Sequence, residues 1–267
     1  DFIVGLGGYS AGPVLLAGWL LRIPIAVMEQ NAYPGMTNRI LGKFATRIFL
    51  NLESSNTFFP KNKALVVGNP YRKNFKPTLH SSNSNDEVPF TIFIFGGSQG
   101  AHAINRAVCE ALNHIKLPPA QLVFIHQTGI QDYSFVKQVY YRHPYKHEVH
   151  EFIYDMDRAY NQSNLVICRA GATTLTELSV FKKASLLIPF PFATDNHQEH
   201  NAKFLEKNSA AMVMTQTHLT GKSLAEKITE TFHNRKKLME MEDKIFRFHN
   251  PDASKIIVDE VMKFKDK

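Results

Sequence analysis

Residues 96–100 have the clearest chemical character in the chain, because three glycines and Ser98 follow a run of β-branched and aromatic residues. Residues 91–95 predict a buried strand, and apolar residues at four-residue spacing over 104–112 predict a helix after the loop. Such a turn leaves backbone N–H groups unpaired at the positive end of the helix dipole, which suits a phosphate or diphosphate. A turn that only connects two elements explains it equally well. The spacing matches neither the dinucleotide-binding fingerprint nor a P-loop, so neither a nicotinamide nor ATP is indicated.

A second candidate anion site includes Gly171, which lies between the apolar run 165–168 and another predicted helix. Thr174 and Glu177 have the spacing of a capping box, which is one interpretation of these two residues. In the other interpretation the helix start offers N–H groups to an anion, and Glu177 accepts hydrogen bonds from a ribose diol.

Polar side chains are concentrated between residues 189 and 201. The amides of Asn196, Gln198 and Asn201 both donate and accept hydrogen bonds, as the hydroxyl groups of a sugar require. His197 and His200 lie three residues apart, but no third ligand follows at a suitable spacing, so we expect no metal site.

No Ser/His/Asp or Cys/His arrangement predicts a covalent nucleophile, and no Asp-x-Asp motif predicts a divalent cation on a diphosphate. We expect no cofactor. Phe152, at the end of a predicted strand, either stacks on a base or belongs to the core. Arg72 is a candidate for neutralising a leaving diphosphate.

Strands alternate with helices on both sides of a Ser-, Asn- and Pro-rich segment at 76–89, which predicts a linker between two α/β units. The predicted strands cover residues 2–6, 23–28, 47–50, 64–67, 91–95, 122–127, 148–152, 165–168, 186–188 and 211–214. The pattern predicts two doubly wound parallel sheets, the first of them incomplete. The polar motifs fall at the carboxyl ends of strands, where such sheets bind ligands.

The composition is that of a globular protein of 267 residues, with 44% hydrophobic and 21% charged residues. Residues 1–76 contain nine Lys and Arg against three acidic residues, a balance of +6 within a total of +7. This basic N-terminal segment lies beside apolar residues such as Trp19. It predicts either a face that binds an anionic membrane surface or an ordinary solvated face. Nucleic acid is not indicated, since no recognition motif accompanies the charge.

Taken in order along the chain, seven motifs resemble one family, the MurG N-acetylglucosaminyltransferases of peptidoglycan synthesis. The motifs are Gly7-Gly-Tyr-Ser-Ala-Gly-Pro13, Glu29-Gln-Asn31, Gly68-Asn-Pro-Tyr-Arg72, Gly96-Gly-Ser-Gln-Gly100, Glu151-Phe-Ile153, Arg169-Ala-Gly-Ala-Thr-Thr-Leu-Thr-Glu177 and His197-Gln198 with Asn201-Ala202. Enzymes of this family transfer GlcNAc from UDP-GlcNAc, with inversion, to undecaprenyl-pyrophosphoryl-MurNAc-pentapeptide (lipid I), giving lipid II.

The resemblance implies a GT-B-type fold, in which two Rossmann-like domains face a cleft. Residues 1–71, completed by a helix over 250–267, would form part of the acceptor and membrane-side domain, and residues 72–249 the donor domain. It also implies a peripheral location on the cytoplasmic face of the plasma membrane, and other cell-wall synthesis proteins as further partners.

The resemblance also implies a set of residues for each part of the substrates. The implied contacts are Gly97, Ser98 and Arg72 for the diphosphate; Phe152 and the backbone of Ile153 for the uracil; Glu177 for the ribose; Ala172, Thr173 and Thr174 for the sugar–phosphate portion; Asn31, His197 and Gln198 for GlcNAc; and Gly8 and Tyr9 for the lipid acceptor. The family often has two Gln where this chain has His197-Gln198.

The chain departs from the family pattern at its amino end, where an earlier glycine-rich loop with a His is expected. We therefore expect a preceding segment to be missing and to contain the general base. Two alternatives remain: an enzyme related to the UDP-GlcNAc 2-epimerases, and a non-catalytic donor-binding half of a split glycosyltransferase.

Overall fold

The computed structural model describes residues 1–78 and 89–264. Most of the linker predicted over 76–89 lies outside the described residues. Two parallel sheets, one of four strands and one of six, organise the described chain.

The first sheet has the strand order β1-β2-β3-β4 and is parallel throughout. Its strands are β1 (Ile3–Gly5), β2 (Ile25–Glu29), β3 (Arg47–Leu50) and β4 (Ala64–Val66). They are connected by α1 (Ala11–Leu20), α2 (Met36–Leu41) and a 3-10 helix, Glu53–Phe58. Every residue of β2 is buried, as expected for an apolar strand with neighbours on both sides.

Helices cover both faces of the first sheet. Leu15 of α1 and Leu41 of α2 pack on one face against Ile25. The C-terminal helix α10 (Ala253–Met262) packs on the other face, where Ile257 lies against a cluster that includes Phe49. The end of the chain therefore returns to the first sheet.

The second sheet has the order β10-β9-β8-β5-β6-β7, also parallel. Its strands are β5 (Phe90–Phe95), β6 (Leu122–Gln127), β7 (Lys146–His150), β8 (Leu165–Cys168), β9 (Ser185–Leu187) and β10 (Met212–Val213). Its helices are α3 (His102–Ala111), α4 (Tyr133–Tyr140), α5 (Met156–Gln162), α6 (Ala172–Val180), α7 (His197–Lys207), α8 (Gly221–His233) and α9 (Arg235–Phe246), with 3-10 turns at Pro119–Gln121 and Thr194–Asn196.

Alternate residues of β5 belong to two different cores. Ile92 and Ile94 face the side covered by α3, α4 and α8, whereas Phe93 and Phe95 face the side covered by α5, α6 and α7. Strand order reverses at β5, which pairs with β6 on one side and β8 on the other. The predicted fold class, two doubly wound parallel sheets, is confirmed, and the switch point lies at the glycine loop.

Three local features differ from the expectations drawn from the sequence. Strand β7 begins and ends two residues earlier than predicted, so Phe152 lies beyond it. Helix α5 was not predicted, although Asp155 caps it by accepting a hydrogen bond from the Arg158 N–H. Helix α6 begins at Ala172 with Gly171 as N-cap, so Thr174 lies inside the helix and the capping-box interpretation fails.

Candidate functional site

The glycine loop joins β5 to α3 at the switch point of the second sheet. Gly97 and Gly100 have φ angles of +93° and +78°, which side chains other than glycine rarely adopt. A Cβ on Gly100 would lie 1.9 Å from the carbonyl oxygen of Thr128, so the backbone here has no room for one. Ser98 is exposed at the tip. No side chain caps the start of α3, and its first N–H groups remain available to an anion.

Helix α6 begins beside this loop, because β8 is the neighbour of β5. Its N-cap, Gly171, also provides no side-chain cap. The two helix starts contribute to one cavity of about 590 Å³. The cavity is lined by Gly96, Gly97, Gly100, Ala101, His102, Ala103, Arg169, Gly171, Thr174, Phe190, Gln198 and Gln216.

Arg169 supplies a positive charge to this cavity. Its Nη1 donates to the carbonyl oxygens of Ile188 and Pro189 at 3.1 and 3.2 Å, and its Nη2 donates to Gln216 Oε1 at 2.8 Å. Burial lowers the pKa of Arg169 to about 10. These three acceptors are neutral, so they orient the guanidinium without cancelling its charge. No role for Arg169 was predicted from the sequence. Its position directly after a buried strand could have indicated one, because ligands bind beyond the carboxyl ends of strands in such sheets.

The base-binding residues predicted from the resemblance follow β7. The Phe152 ring is half exposed and lies 4.9 Å from the ring of Tyr154, which is almost fully exposed. Ile153 is buried, and its N–H donates to Gln127 Oε1 at 2.8 Å. The backbone of Ile153 therefore offers a base its carbonyl oxygen, while its N–H is already bonded within the protein.

Glu177 lies on α6, and its Oε2 accepts a hydrogen bond of 2.8 Å from the hydroxyl of Tyr160. Burial raises the pKa of Glu177, and the Tyr160 hydroxyl and the charge of Arg72 oppose that shift. Arg72 is exposed, and its charge acts on Glu177, so it lies near that carboxylate. It does not line the glycine-loop cavity. Ala172, Thr173 and Thr174 form the first turn of the same helix.

A second cavity, of about 330 Å³, lies where the first sheet faces α7. It brings together the predicted acceptor residues Gly8 and Tyr9 with Asn31 and His197. The full lining is Leu6, Gly7, Gly8, Tyr9, Glu29, Gln30, Asn31, Tyr33, Gly35, Met36, Thr37, Asn38, Thr194, Asp195 and His197.

Asn31 is fixed by protein hydrogen bonds from both halves of the chain. Its N–H and Nδ2 donate to Oε1 of the buried Glu29, at 2.9 and 3.2 Å. Its Oδ1 accepts from Nδ2 of Asn201 at 3.1 Å. One N–H and one lone pair of the Asn31 amide remain for a ligand. Asn201 itself is buried, so it holds Asn31 instead of facing a sugar as the sequence suggested.

His197 and Gln198 begin α7 and connect the two cavities. His197 lines the second cavity. Its Nδ1 lies 2.7 Å from the carbonyl oxygen of Thr194, so Nδ1 donates a hydrogen bond and Nε2 remains for a ligand. Gln198 lines the glycine-loop cavity, where its Oε1 accepts from the Phe190 N–H at 3.0 Å. The Gln198 amide can still donate.

Over residues 1–78 and 89–264, no group of three or more His, Cys, Asp or Glu side chains is placed to hold a metal ion. Within the same ranges, no helix combines the length and the apolar character needed to cross a bilayer.

Comparison with known proteins places the chain in a family. The model of the glycosyltransferase family 28 C-terminal domain matches residues 91–257, and that of the family 28 N-terminal domain matches residues 1–50. A Myxococcus xanthus protein named UDP-N-acetylglucosamine--N-acetylmuramyl-(pentapeptide) pyrophosphoryl-undecaprenol N-acetylglucosamine transferase is 44% identical; the match covers 97% of this chain and 67% of the relative.

Solved structures agree with this assignment. The crystal structure of Acinetobacter baumannii MurG has a TM-score of 0.83 and 36% identity, over 99% of this chain and 75% of that one. A UDP-GlcNAc 2-epimerase from Neisseria meningitidis, bound to UDP-GlcNAc, has a TM-score of 0.67 and 12% identity, over 98% and 76%. The second likeness shows a common fold alone. By its domain matches and its sequence identity to these relatives, the chain belongs to glycosyltransferase family 28 and, within it, to the MurG family.

Proposed function

We propose that this chain is an inverting N-acetylglucosaminyltransferase, which moves GlcNAc from UDP-GlcNAc to lipid I and so forms lipid II in peptidoglycan synthesis. The observation that most strongly supports this function is the pair of cavities on either side of the start of α7, one lined by His197 and the other by Gln198. One cavity has the chemistry for a nucleoside diphosphate, and the other has amide and hydroxyl groups for sugars.

In this proposal UDP lies across the carboxyl edge of the second sheet. The diphosphate is held by backbone N–H groups of Gly97 and Ser98, by the start of α6 and by Arg169. The base lies at Phe152 and Ile153. Glu177 binds the ribose, and Arg72 lies on that side of the nucleotide.

GlcNAc then points toward the first half of the chain, where Asn31 and His197 meet and Gln198 lies beside them. The acceptor approaches from Gly8 and Tyr9, and its hydroxyl attacks the anomeric carbon as UDP leaves. The N–H groups and Arg169 stabilise the charge that develops on the departing diphosphate.

The domain division belongs to the same proposal. Residues 1–71 with the helix predicted over 250–267 form the acceptor side, and residues 72–249 form the donor side. The packing of α10 on the first sheet supports this division.

An exposed apolar surface supports a peripheral location on the cytoplasmic face of the plasma membrane. Its members on α1 are Val14, Leu16, Trp19 and Leu20, all at least 42% exposed. The Trp19 ring lies 4.7 Å from the ring of Phe44, so the surface continues past α2. Lys43 and Lys63 lie beside it, with the Lys63 ammonium 3.2 Å from the Lys43 carbonyl oxygen. Apolar groups flanked by lysines suit an anionic bilayer.

An assay of UDP release with lipid I tests the function. We expect UDP-GlcNAc to bind and UDP to be released only when lipid I is present. Conversion of UDP-GlcNAc without an acceptor would identify the epimerase alternative. Donor binding without release, under conditions in which a full-length relative is active, would identify a donor-binding half. Absence of UDP binding would contradict all three.

A further inference from the structure

Gln127, the last residue of β6, connects the two segments that contact opposite ends of the proposed nucleotide. Its Nε2 donates to the carbonyl oxygen of Gly97 at 2.9 Å, and its Oε1 accepts from the N–H of Ile153 at 2.8 Å. The side chain is only 3% exposed. We propose that Gln127 is a positioning residue, which fixes the diphosphate loop and the base-binding segment at the separation that a nucleoside diphosphate requires.

The chemistry of the two partners specifies glutamine at this position. A backbone carbonyl can only accept and a backbone N–H can only donate, so the Gln127 amide has one possible orientation. A glutamate would keep the bond from Ile153 but would direct a carboxylate oxygen at the carbonyl of Gly97. A methionine would fill a similar volume without either bond.

The backbone after Gln127 is held on the same two sides. The N–H groups of Thr128 and Gly129 donate to the carbonyl oxygens of His150 and Glu151, at 2.9 and 3.1 Å. On the other side, a Cβ on Gly129 would lie 2.2 Å from the carbonyl oxygen of Gln99, so this turn packs directly on the glycine loop. Residues 127–129 therefore form a rigid spacer between the glycine loop and the base-binding segment.

This arrangement has a consequence for binding. A ligand that contacts only one segment does not depend on the spacer, whereas one that spans both gains affinity from having the two segments already in place. Without Gln127, the Gly97 turn must be ordered by the ligand itself. Uridine affinity is then largely retained, because Ile153 keeps its carbonyl oxygen and regains its N–H. UDP affinity falls.

The test is calorimetry on the full chain with UDP, and with uridine by competition. Gln127→Met should weaken UDP binding about tenfold, the effect of about one lost hydrogen bond, and change uridine binding less than twofold. Gln121→Met, in the exposed 3-10 turn directly before the same strand, is the matched control and should change neither. Hydrogen exchange at residues 97–100 should become faster in Gln127→Met alone.

The inference rests on the proposed nucleotide site, and the two can fail separately. If the wild-type chain does not bind UDP, the proposed function is wrong. Suppose that the wild-type chain binds UDP. If Gln127→Met then weakens the binding of UDP and of uridine by the same factor, or weakens the binding of neither, Gln127 has no positioning role. Should Gln127→Met fail to fold, Gln127→Glu decides, since it keeps the Ile153 bond and must still weaken UDP more than uridine.

Discussion

Asn201 of α7 donates a hydrogen bond of 3.1 Å to Oδ1 of Asn31, which follows β2 in the first sheet. The same buried amide accepts from the N–H of Ala32 at 2.8 Å and donates to the carbonyl oxygen of Ala170 at 3.0 Å. One side chain thus ties the first half of the chain to the second at the base of the cleft, and it sets the orientation of a residue assigned to GlcNAc.

We predict that Asn201→Asp reduces the contribution of GlcNAc to donor binding. Aspartate still accepts from Ala32 but cannot donate to Asn31 or Ala170, so the Asn31 amide is released. The two lost bonds should destabilise the fold by about 2–3 kcal/mol. Calorimetry should show UDP-GlcNAc weakened and UDP unchanged. Asn208→Asp, at the exposed C-cap of the same helix, should leave the affinities for UDP-GlcNAc and UDP unchanged; a weakening of UDP itself in Asn201→Asp would contradict the interpretation.

We predict that Arg169→Gln weakens UDP by about 1.5–3 kcal/mol, as expected for a hydrogen bond from a charged group. Uridine should be unaffected, because the guanidinium faces the cavity of the glycine loop. Arg106→Gln, an exposed change on α3, is the control. Ser98→Ala should cost about 1–2 kcal/mol by the same measurement. Unchanged UDP affinity in both Arg169→Gln and Ser98→Ala would contradict the placement of the diphosphate in this cavity.

We predict that Glu177→Gln loses the preference for UDP over dUDP while making the free protein more stable. Burial raises the Glu177 pKa, so its ionised form opposes folding. This penalty is absent below the ordinary glutamate pKa of about 4.3 and complete above the raised value. The variant should therefore melt at a higher temperature than wild type at pH 7, and the difference should disappear near pH 4. A variant that still prefers UDP by the wild-type factor would exclude Glu177 from ribose binding.

We predict salt-sensitive binding to anionic vesicles, weakened by neutralising Arg22, Lys43 and Lys63 to Gln. These residues lie beside the exposed apolar residues, and each adsorbed charge contributes roughly 1 kcal/mol before screening. Arg39 and Arg47 also belong to the basic residues of the 1–76 segment. The structure shows Arg39 bonded to the Tyr33 hydroxyl at 3.1 Å and Arg47 paired with Glu260 at 3.1 Å, so both are poorer choices.

Neutralising Arg106, Lys116 and Lys222 to Gln in the second half changes the net charge equally and is the control for this experiment. Co-sedimentation with vesicles should fall only for the first triple. Equal sedimentation with neutral and anionic vesicles would show that the basic residues within 1–76 form an ordinary solvated surface and do not bind the membrane.

The family, the fold class and the strands that are buried on both faces could be predicted from the amino-acid sequence alone. Strands β3, β6 and β8 were predicted to the residue, because strands in parallel sheets are continuous apolar runs that polar or turn residues end. Helix α5 was missed because it buries only Ala159 and Tyr160 and otherwise consists of polar or partly exposed residues.

The way in which the functional residues are held depends on contacts between distant parts of the chain. The Ile153 N–H meets a side chain 26 residues away, and Asn31 meets one 170 residues away. Local spacing contains no information about such pairs. For Thr174 it allowed a capping box as one of two interpretations, and the structure does not form it, since α6 begins after Gly171. The glycines, strands and motif order follow from short-range sequence. The supports at Gln127 and Arg169 exist only after the strands and loops of the second sheet have come together, and the support at Asn201 exists only after the two sheets have packed.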